Sequence, residues 1–271
     1  MKLIDCFMYF DEDLILDIRL NVLNKYVDKF VISEATRDHA GNKKKLNFDI
    51  KKFSKFQDKI IYIVEENLPE TVQKFKKNWS PDWHRENYHR NSLEKGYRNF
   101  HDEDLIMISD TDEIPNPHKI KLFNKKNIYG CFIQKNFSMK LNLLNTTSSL
   151  WPGTKVCVKK NLKNPQWLRN LKIKKYPFWK FYKPKPLQLI NDGGWHFSFL
   201  KNPEDISKKI KAYAHQELNK EVFTDISLIN NRIKVGKDIF DRDYNYKKID
   251  LNNEFPEYIL KNKLKFKNWI L

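Results

Sequence analysis

Two aspartates separated by one residue follow a short apolar run near the middle of the chain. Residues 105–108 read Leu-Ile-Met-Ile, Ser109 comes next, and Asp110, Thr111 and Asp112 follow. In an extended backbone, side chains two residues apart point to the same side, so the two carboxylates face together. Such a pair of hard oxygen ligands suits Mg²⁺ or Mn²⁺, which can bridge to a diphosphate and neutralise a leaving group. An Asp-rich turn is the competing interpretation.

A parallel sheet is the framework that would place this pair at a ligand site. A short apolar run bounded by turn residues is typical of a strand buried on both faces, and open α/β sheets bind ligands beyond the carboxyl ends of such strands. The sequence predicts further strands over 3–10, 29–33 and 60–64, with helices over 14–23 and 84–100. Strand, helix and strand in close succession form a βαβ unit with parallel pairing. The absence of a Gly-X-Gly-X-X-Gly loop argues against a dinucleotide enzyme.

The pattern changes after residue 117. Residues 130–134 and 137–141 predict a β-hairpin, and 151–154 predict a turn before a strand over 155–158. A helix is expected from 203 to about 218. This half has no internal repeat and no clear linker.

Composition bounds the class of protein and its partners. The chain has 271 residues, 40% of them hydrophobic and 14% aromatic, which is typical of a globular protein with a substantial core. The net charge of +17 favours acidic partners: nucleic acid, an anionic membrane surface or a phosphorylated substrate. Cys6, Cys131 and Cys157 have no metal-binding spacing and predict reduced thiols in a cytosolic protein. We expect no signal peptide or membrane-spanning segment.

Several motifs together resemble those of glycosyltransferase family 17. They are Glu34, the run 110–115 and the run 193–198, accompanied by residues 5–7 and 33–35, Arg85 with Glu86, and His215 with Glu217. The resemblance covers roughly residues 3–217 and implies an inverting enzyme of the GT-A fold, an α/β Rossmann-type domain with a mostly parallel central sheet. Eukaryotic members transfer N-acetylglucosamine from UDP-N-acetylglucosamine in β1,4 linkage to the core mannose of N-glycans. We expect this chain to lack their membrane anchor and luminal stem, which leaves the acceptor open.

The domain organisation, partners and location can also be predicted. We expect a GT-A-like domain over 1–240, with a nucleotide-sugar-binding half over 1–117 and an acceptor half over 118–240, and a basic tail over 241–271 packed on or beside it. The expected partners are a UDP-sugar donor and a glycan or glycolipid acceptor. Without a signal or anchor, a cytoplasmic enzyme is expected. The net charge of +17 and the basic, aromatic segment 163–186 favour a peripheral position on the inner face of the membrane, and a soluble enzyme whose charge reflects composition alone is the alternative. Its aromatic residues include Trp167, Trp179, Phe181 and Tyr182.

Metal and donor ligands follow from the same motifs. Asp112 would bind Mn²⁺ or Mg²⁺ directly, Asp110 would hold the metal or the ribose, and His196 would be a further metal or phosphate ligand, with a buried structural histidine as the alternative. Bidentate arginines would hold phosphate, although Arg90 also suits an i, i+4 pair with Glu86. Glu34 would accept from a ribose hydroxyl or the uracil imide. The donor-binding candidates are Glu34, Arg85, Arg90, Thr111 and Lys155.

Inverting transfer also needs a base that deprotonates the acceptor hydroxyl. Asp192 is the first candidate because it precedes Gly193 and Gly194, whose bare backbone lets a ligand approach closely. Glu217, with His215 beside it, is the second. Trp151 and Trp195 would stack on the faces of acceptor sugars, and a core position is the alternative for each.

Three other classes of protein compete with this hypothesis. A nucleic-acid-binding protein fits the charge, but the basic residues are spread along the chain and no recognition motif accompanies them. A metal-dependent phosphotransferase or nuclease would use the same Asp pair together with another carboxylate cluster, which the sequence does not offer clearly. A non-catalytic scaffold of transferase fold would not need Asp110 and Asp112.

Overall fold

The structure, a computed structural model, describes residues 1–70, 80–174, 177, 179 and 184–271. These residues form an α/β fold in which eleven strands belong to one sheet. Phe181 and Tyr182, two of the aromatics expected at a membrane surface, lie outside the described residues.

The strands and helices are numbered in chain order. The strands are β1 (Leu3–Met8), β2 (Lys29–Ala35), β3 (Ile60–Glu65), β4 (Leu105–Asp110), β5 (Glu113–Pro115), β6 (Tyr129–Ser138), β7 (Leu143–Asn145), β8 (Leu150–Val158), β9 (Gln188–Ile190), β10 (Gly194–Ser198) and β11 (Tyr246–Lys248). The α-helices are α1 (Asp13–Leu23), α2 (Pro81–Ser92), α3 (Glu94–Tyr97), α4 (Pro117–Ile120), α5 (Pro165–Arg169), α6 (Pro203–Ala212), α7 (Glu221–Thr224), α8 (Ile226–Val235) and α9 (Glu257–Lys261).

The N-terminal half of the sheet is wholly parallel. Its strands lie in the order β4-β1-β2-β3, and each neighbouring pair runs in the same direction. Ile106, Met107 and Ile108 of β4 are fully buried, because helices and loops cover both faces of the strand. The predicted α/β class with a mostly parallel central sheet is confirmed, and β4 ends at Asp110 as expected.

The second half of the sheet brings the two motif regions together. β8 pairs antiparallel with β4, and β6 pairs antiparallel with β8, so β6 runs in the same direction as β4. β10 lies parallel to β6 and antiparallel to β5, with His196 opposite Glu113. The short strand β5 directly follows Asp110, Thr111 and Asp112, the aspartate turn, so this pairing places His196 beside that turn.

Two elements of the second half were predicted wrongly. Residues 130–141 do not form a hairpin, since one ten-residue strand, β6, runs through Tyr129–Ser138. Residues 151–154 are part of β8 and not a turn. Gly153 is required there for another reason: a Cβ on it would lie 1.9 Å from Oε1 of Gln134 on β6. The glycine therefore marks a close approach between strands.

Helix ends also differ from the sequence-based expectation. α2 begins at Pro81, which occupies the first turn, where a missing N–H costs nothing. The helix is interrupted at Leu93, and α3 begins at the next residue. α6 ends at Ala212, and a 3₁₀ turn over Gln216–Leu218 follows it. This irregular connection, and not a continuous helix, carries His215.

The C-terminal residues contribute to the main core. Phe255, Ile259 and Phe266 are buried in the same cluster as Leu16 of α1 and Phe7 of β1. α9 packs against α1. In the part of the chain that the structure describes, no helix combines the length and the hydropathy that crossing a bilayer requires.

Candidate functional site

A buried arginine holds the aspartate turn in place through hydrogen bonds to its backbone. Arg19 of α1 has no solvent exposure, and its Nη1 donates to the carbonyl oxygens of Asp110, Thr111 and Glu113 at 3.0, 3.1 and 2.8 Å. Its Nη2 pairs with Asp5 Oδ1 on β1 at 2.6 Å. Sequence reasoning missed Arg19, although a charged residue among the apolar positions of α1 was a visible signal.

Asp110 is held between two guanidinium groups. Arg90 of α2 lies 3.0 Å from Oδ1, and Arg169 of α5 lies 2.9 Å from Oδ2. Burial alone would raise the pKa of Asp110, but the charges of Arg169 and Arg90 outweigh it and hold the pKa below its usual range. Arg90 also pairs with Glu86 at 2.6 Å, and its buried Nε has no hydrogen-bond partner among the described residues. Arg90 itself lines the cavity, so its guanidinium brings positive charge to the wall beside Asp110.

Asp112 faces the imidazole of His196. Asn136 Nδ2 donates to the carbonyl of Ser148 at 2.9 Å, which turns its Oδ1 toward His196 Nδ1, 3.1 Å away. Because Oδ1 only accepts, Nδ1 carries the proton and Nε2 presents a lone pair. That Nε2 lies 3.8 Å from Oδ1 of Asp112. Two electron-pair donors therefore face each other across a gap that a cation can fill.

Trp151 packs against one face of this histidine. Its ring stacks on the His196 imidazole with centroids 4.6 Å apart, and its Nε1 donates to Glu113 at 2.6 Å. The hydroxyl of Thr111 donates to the Met8 carbonyl on β1. Both contacts fix the aspartate turn relative to its neighbouring strands.

Basic side chains surround the turn. Lys209 of α6 lies 3.7 Å from Asp112 and 3.3 Å from Glu12. Burial favours the neutral acid at Glu12, but Lys209 and Lys201 outweigh it and lower its pKa to about 2. Lys155 of β8 donates to the carbonyls of α5 and the residues after it, and burial lowers its pKa to about 8.

These groups line one cavity of about 650 Å³ at the carboxyl ends of β1, β4, β6 and β10. The predicted site residues that line it are Asp110, Thr111, Asp112, His196, Arg90, Lys155 and Trp151. Arg169, Lys209 and Glu12 also line it and were missed by sequence reasoning. Arg169 lies in the basic segment that was assigned to a membrane surface, so only its contact with Asp110 reveals it.

Two predicted donor ligands, Glu34 and Arg85, do not line the cavity, and their polar atoms form hydrogen bonds with other residues of the protein. Glu34 is fully buried and accepts from the amides of Asn47 and Phe48 at 2.7 and 3.0 Å, and from the Tyr62 hydroxyl at 2.8 Å. It anchors the loop after β2, and its oxygens are not turned toward a ribose. Arg85 donates to the carbonyls of the same loop and pairs with Asp82.

The region around the glycine pair also differs from the prediction. Asp192 is exposed in the turn before β10 and lies outside the lining. Gly194 has φ 133°, and a Cβ there would lie 2.1 Å from the carbonyl oxygen of Ile114. The absence of a side chain at Gly194 allows β5 to pack closely against it, so this backbone contacts protein and not a ligand. Trp195 is buried and donates to the carbonyl of Glu254 at 2.9 Å, so it belongs to the core.

Three further histidines, His39, His89 and His215, line the cavity. His39 Nε2 lies 3.2 Å from His89 Nδ1, and His89 Nε2 lies 3.1 Å from the Ser33 carbonyl, so both rings have fixed tautomers. Burial lowers the pKa of both imidazoles. Nearer the solvent, Glu217 does not line the cavity, but it hydrogen-bonds His215, which does.

The donor set around Asp112 suits a divalent ion that takes part of its ligands from a substrate. Among the described residues no three His, Cys, Asp or Glu side chains cluster tightly enough to hold a metal by themselves. Mg²⁺ and Mn²⁺ sites of the phosphate-binding type use one or two protein ligands and complete their shell with phosphate oxygens and water. Asp112 and His196 fit that requirement, whereas both oxygens of Asp110 are paired with arginines.

Comparison with known proteins defines the class. The sequence model of glycosyltransferase family 17 matches residues 1–269. The chain belongs to this family and is therefore a glycosyltransferase, which uses a nucleotide-sugar donor and a glycan acceptor.

Two further comparisons add little to this. No match was found among curated proteins. One of the similar solved structures is the crystal structure of a glycosyltransferase involved in the glycosylation of the major capsid of PBCV-1; it shares 13% identity over 70% of this chain and 81% of the other, with a TM-score of 0.30.

Proposed function

We propose that this protein is a metal-dependent, inverting transferase that moves N-acetylglucosamine from UDP-N-acetylglucosamine to a glycan or glycolipid acceptor. The observation that carries the metal and diphosphate part is the opposed pair of Asp112 Oδ1 and His196 Nε2, 3.8 Å apart in a cavity rich in cations. The choice of sugar follows the family resemblance.

Each group around the pair has a role in this proposal. Asp112 and His196 would hold Mn²⁺ or Mg²⁺, and the ion would supply charge neutralisation at the leaving diphosphate. Arg90, which lines the cavity beside Asp110, would offer its guanidinium to a phosphate oxygen. Arg169 and Lys155 raise the positive potential at the same place, and Asp110 keeps the two arginines in position.

A screen of nucleotides tests this proposal. We expect UDP and UDP-N-acetylglucosamine to raise the melting temperature in the presence of Mn²⁺, and ADP, GDP and CDP to have smaller effects. Asp112→Asn keeps the shape of the side chain but removes its charge, so it should abolish the Mn²⁺-dependent part of the shift. Equal shifts with and without Mn²⁺ in the wild type would contradict metal-dependent binding. Equal shifts for all nucleotides would contradict the choice of a UDP-sugar as the donor.

We propose further that the enzyme works at an anionic membrane surface on the cytoplasmic side. The net charge of +17 supports this location, because each basic residue near anionic lipid contributes about 1 kcal/mol of attraction. Flotation with phosphatidylserine-containing vesicles at low salt is the test. Recovery of all the protein in the soluble fraction would rule out binding to an anionic membrane surface.

A further inference from the structure

The connection after α6 places a histidine–glutamate pair at the cavity wall. His215 Nδ1 lies 2.7 Å from Glu217 Oε1. Because a carboxylate only accepts, Nδ1 carries a proton, so the lone pair of the neutral ring lies on Nε2. The side chain of His215 lines the cavity and is 45% exposed, so a hydroxyl bound in the cavity can reach it.

The ring is held in place on several sides. It packs against the Trp83 ring in a T-shaped arrangement, with centroids 4.5 Å apart. Gln216, the next residue, donates from Nε2 to the carbonyls of Tyr213 and Lys211 at 2.7 and 3.2 Å. These bonds close the connection into a compact turn and orient the His215 backbone.

The pair and the proposed metal ligands belong to the walls of the same cavity, and α6 connects them. Lys209 contacts Asp112 at 3.7 Å, and His215 follows six residues later along the same segment. With helical rise as far as Ala212 and extended chain beyond it, the Cα atoms of Lys209 and His215 are at most about 15 Å apart. This upper limit keeps His215 on the same side of the cavity as Asp112, which Lys209 contacts.

The other proton acceptors of the cavity are engaged or poorly suited. Glu86 pairs with Arg90, Glu12 pairs with Lys209, and Asp110 pairs with two arginines. Burial makes His39 a weak base by lowering its pKa. Among the described lining residues, His215 combines an unshared lone pair, access to solvent and a carboxylate that stabilises its protonated form. Two further carboxylates line the cavity: Asp112, which is a proposed metal ligand, and Asp38, which accepts from the backbone and side chain of Asn42.

We propose that His215 is the general base of the transfer and that Glu217 is its positioning residue, an inference that rests on the proposed function. The acceptor oxygen attacks the anomeric carbon while its proton moves to His215 Nε2. The bond between that carbon and the phosphate oxygen breaks, and its electron pair leaves with UDP. The imidazolium, stabilised by Glu217, then returns the proton to water. Glu217 thus orients the base and does not itself take the proton.

The test separates catalysis from donor binding. Release of UDP from UDP-N-acetylglucosamine is measured with water and with p-nitrophenyl β-mannoside as acceptors. His215→Gln should lower kcat by about 10²- to 10⁴-fold, the usual contribution of a general base. The Kd for UDP with Mn²⁺ should stay within twofold. Added imidazole should partly restore activity in His215→Ala.

The pH profile distinguishes the two members of the pair. Removing the neighbouring negative charge lowers the pKa of an imidazole, so Glu217→Gln should move the acid limb of kcat/KM to lower pH. His215→Gln should abolish that limb. His101→Gln is the matched control, because His101 is exposed, does not line the cavity, and accepts at Nδ1 from the backbone amide of Glu103.

Each outcome decides one of the two proposals. If the wild type does not bind UDP or its sugars, the proposed function fails and the inference falls with it. If the wild type binds and releases UDP but His215→Gln keeps kcat within threefold, only the assignment of His215 is overturned. A wild type that binds the donor but releases no UDP to water or the mannoside also counts against it, because such a base would serve water as well.

Discussion

Trp151 stacks on His196 with ring centroids 4.6 Å apart and an interplanar angle of 20°. The same indole donates to Glu113, which follows the aspartate turn by one residue. One side chain therefore sets both the plane of the histidine and its distance from Asp112. The sequence suggested a sugar platform for Trp151, but the face of its ring that contacts His196 is already occupied by protein.

This relationship predicts that Trp151 controls metal affinity without touching the metal. Trp151→Leu removes the stacking and the hydrogen bond, and we expect Mn²⁺-dependent UDP binding to weaken by about 10- to 100-fold, the usual effect of losing a residue that orients a metal ligand. Trp151→Phe keeps the stacking and should lose less. Isothermal titration with UDP and Mn²⁺ measures both. Equal losses in the two variants would show that stacking does not matter.

Arg19 predicts a large loss of stability. Arg19→Met removes the partner of the buried Asp5 and three hydrogen bonds to the aspartate turn. Breaking a buried pair on one side costs about 3–5 kcal/mol, and urea unfolding should show a loss of that size. The double variant with Asp5→Leu is the control: it leaves no unpaired charge and should recover part of the loss. A loss below about 1 kcal/mol for Arg19→Met would contradict this account.

The difference between what the sequence predicted and what it missed has a physical basis. β4 and its acidic end were predictable because an apolar run followed by carboxylates is a local pattern. Arg19, Arg169 and Lys209 reach the turn from α1, α5 and α6, and such long-range contacts leave no periodic signal. The predicted hairpin over 130–141 failed because Lys135 and Asn136 looked like turn residues, whereas the strand pairs through both.

Gly194 offers a direct comparison with a second glycine of positive φ. Gly194→Ala would press its methyl group against the Ile114 carbonyl and disturb the β5–β10 pairing that carries His196. We expect a loss of about 2 kcal/mol or more, together with weaker Mn²⁺-dependent UDP binding. Gly236→Ala is the control, since that residue has φ 65° and open space around it, so only the backbone cost of about 1 kcal/mol applies. Similar losses in both variants would contradict the role of the contact.

Acid titration of Glu12 is the last prediction. Lys209 and Lys201 overcome the effect of burial and lower the Glu12 pKa from 4.5 to about 2, so the folded state binds this proton less readily than the unfolded state does. The stabilisation is therefore complete above about pH 4.5 and disappears as the pH falls toward 2. Its size is about 3 kcal/mol, taking 1.4 kcal/mol per pKa unit for a side chain that is 11% exposed.

Glu12→Gln should lower stability near pH 7 by up to that amount and should flatten the decline of unfolding free energy between pH 4.5 and 2. Urea unfolding at a series of pH values measures the difference between variant and wild type, which removes the contribution of other carboxylates that titrate in the same range. Glu66→Gln, which changes an exposed carboxylate, should follow the wild-type curve. If the Glu12→Gln and wild-type curves run parallel below pH 4.5, the lysines around Glu12 do not stabilise its charge. The ion pairs that connect Glu12 to Lys209 and Lys209 to Asp112 would then be too weak to position α6 against the aspartate turn.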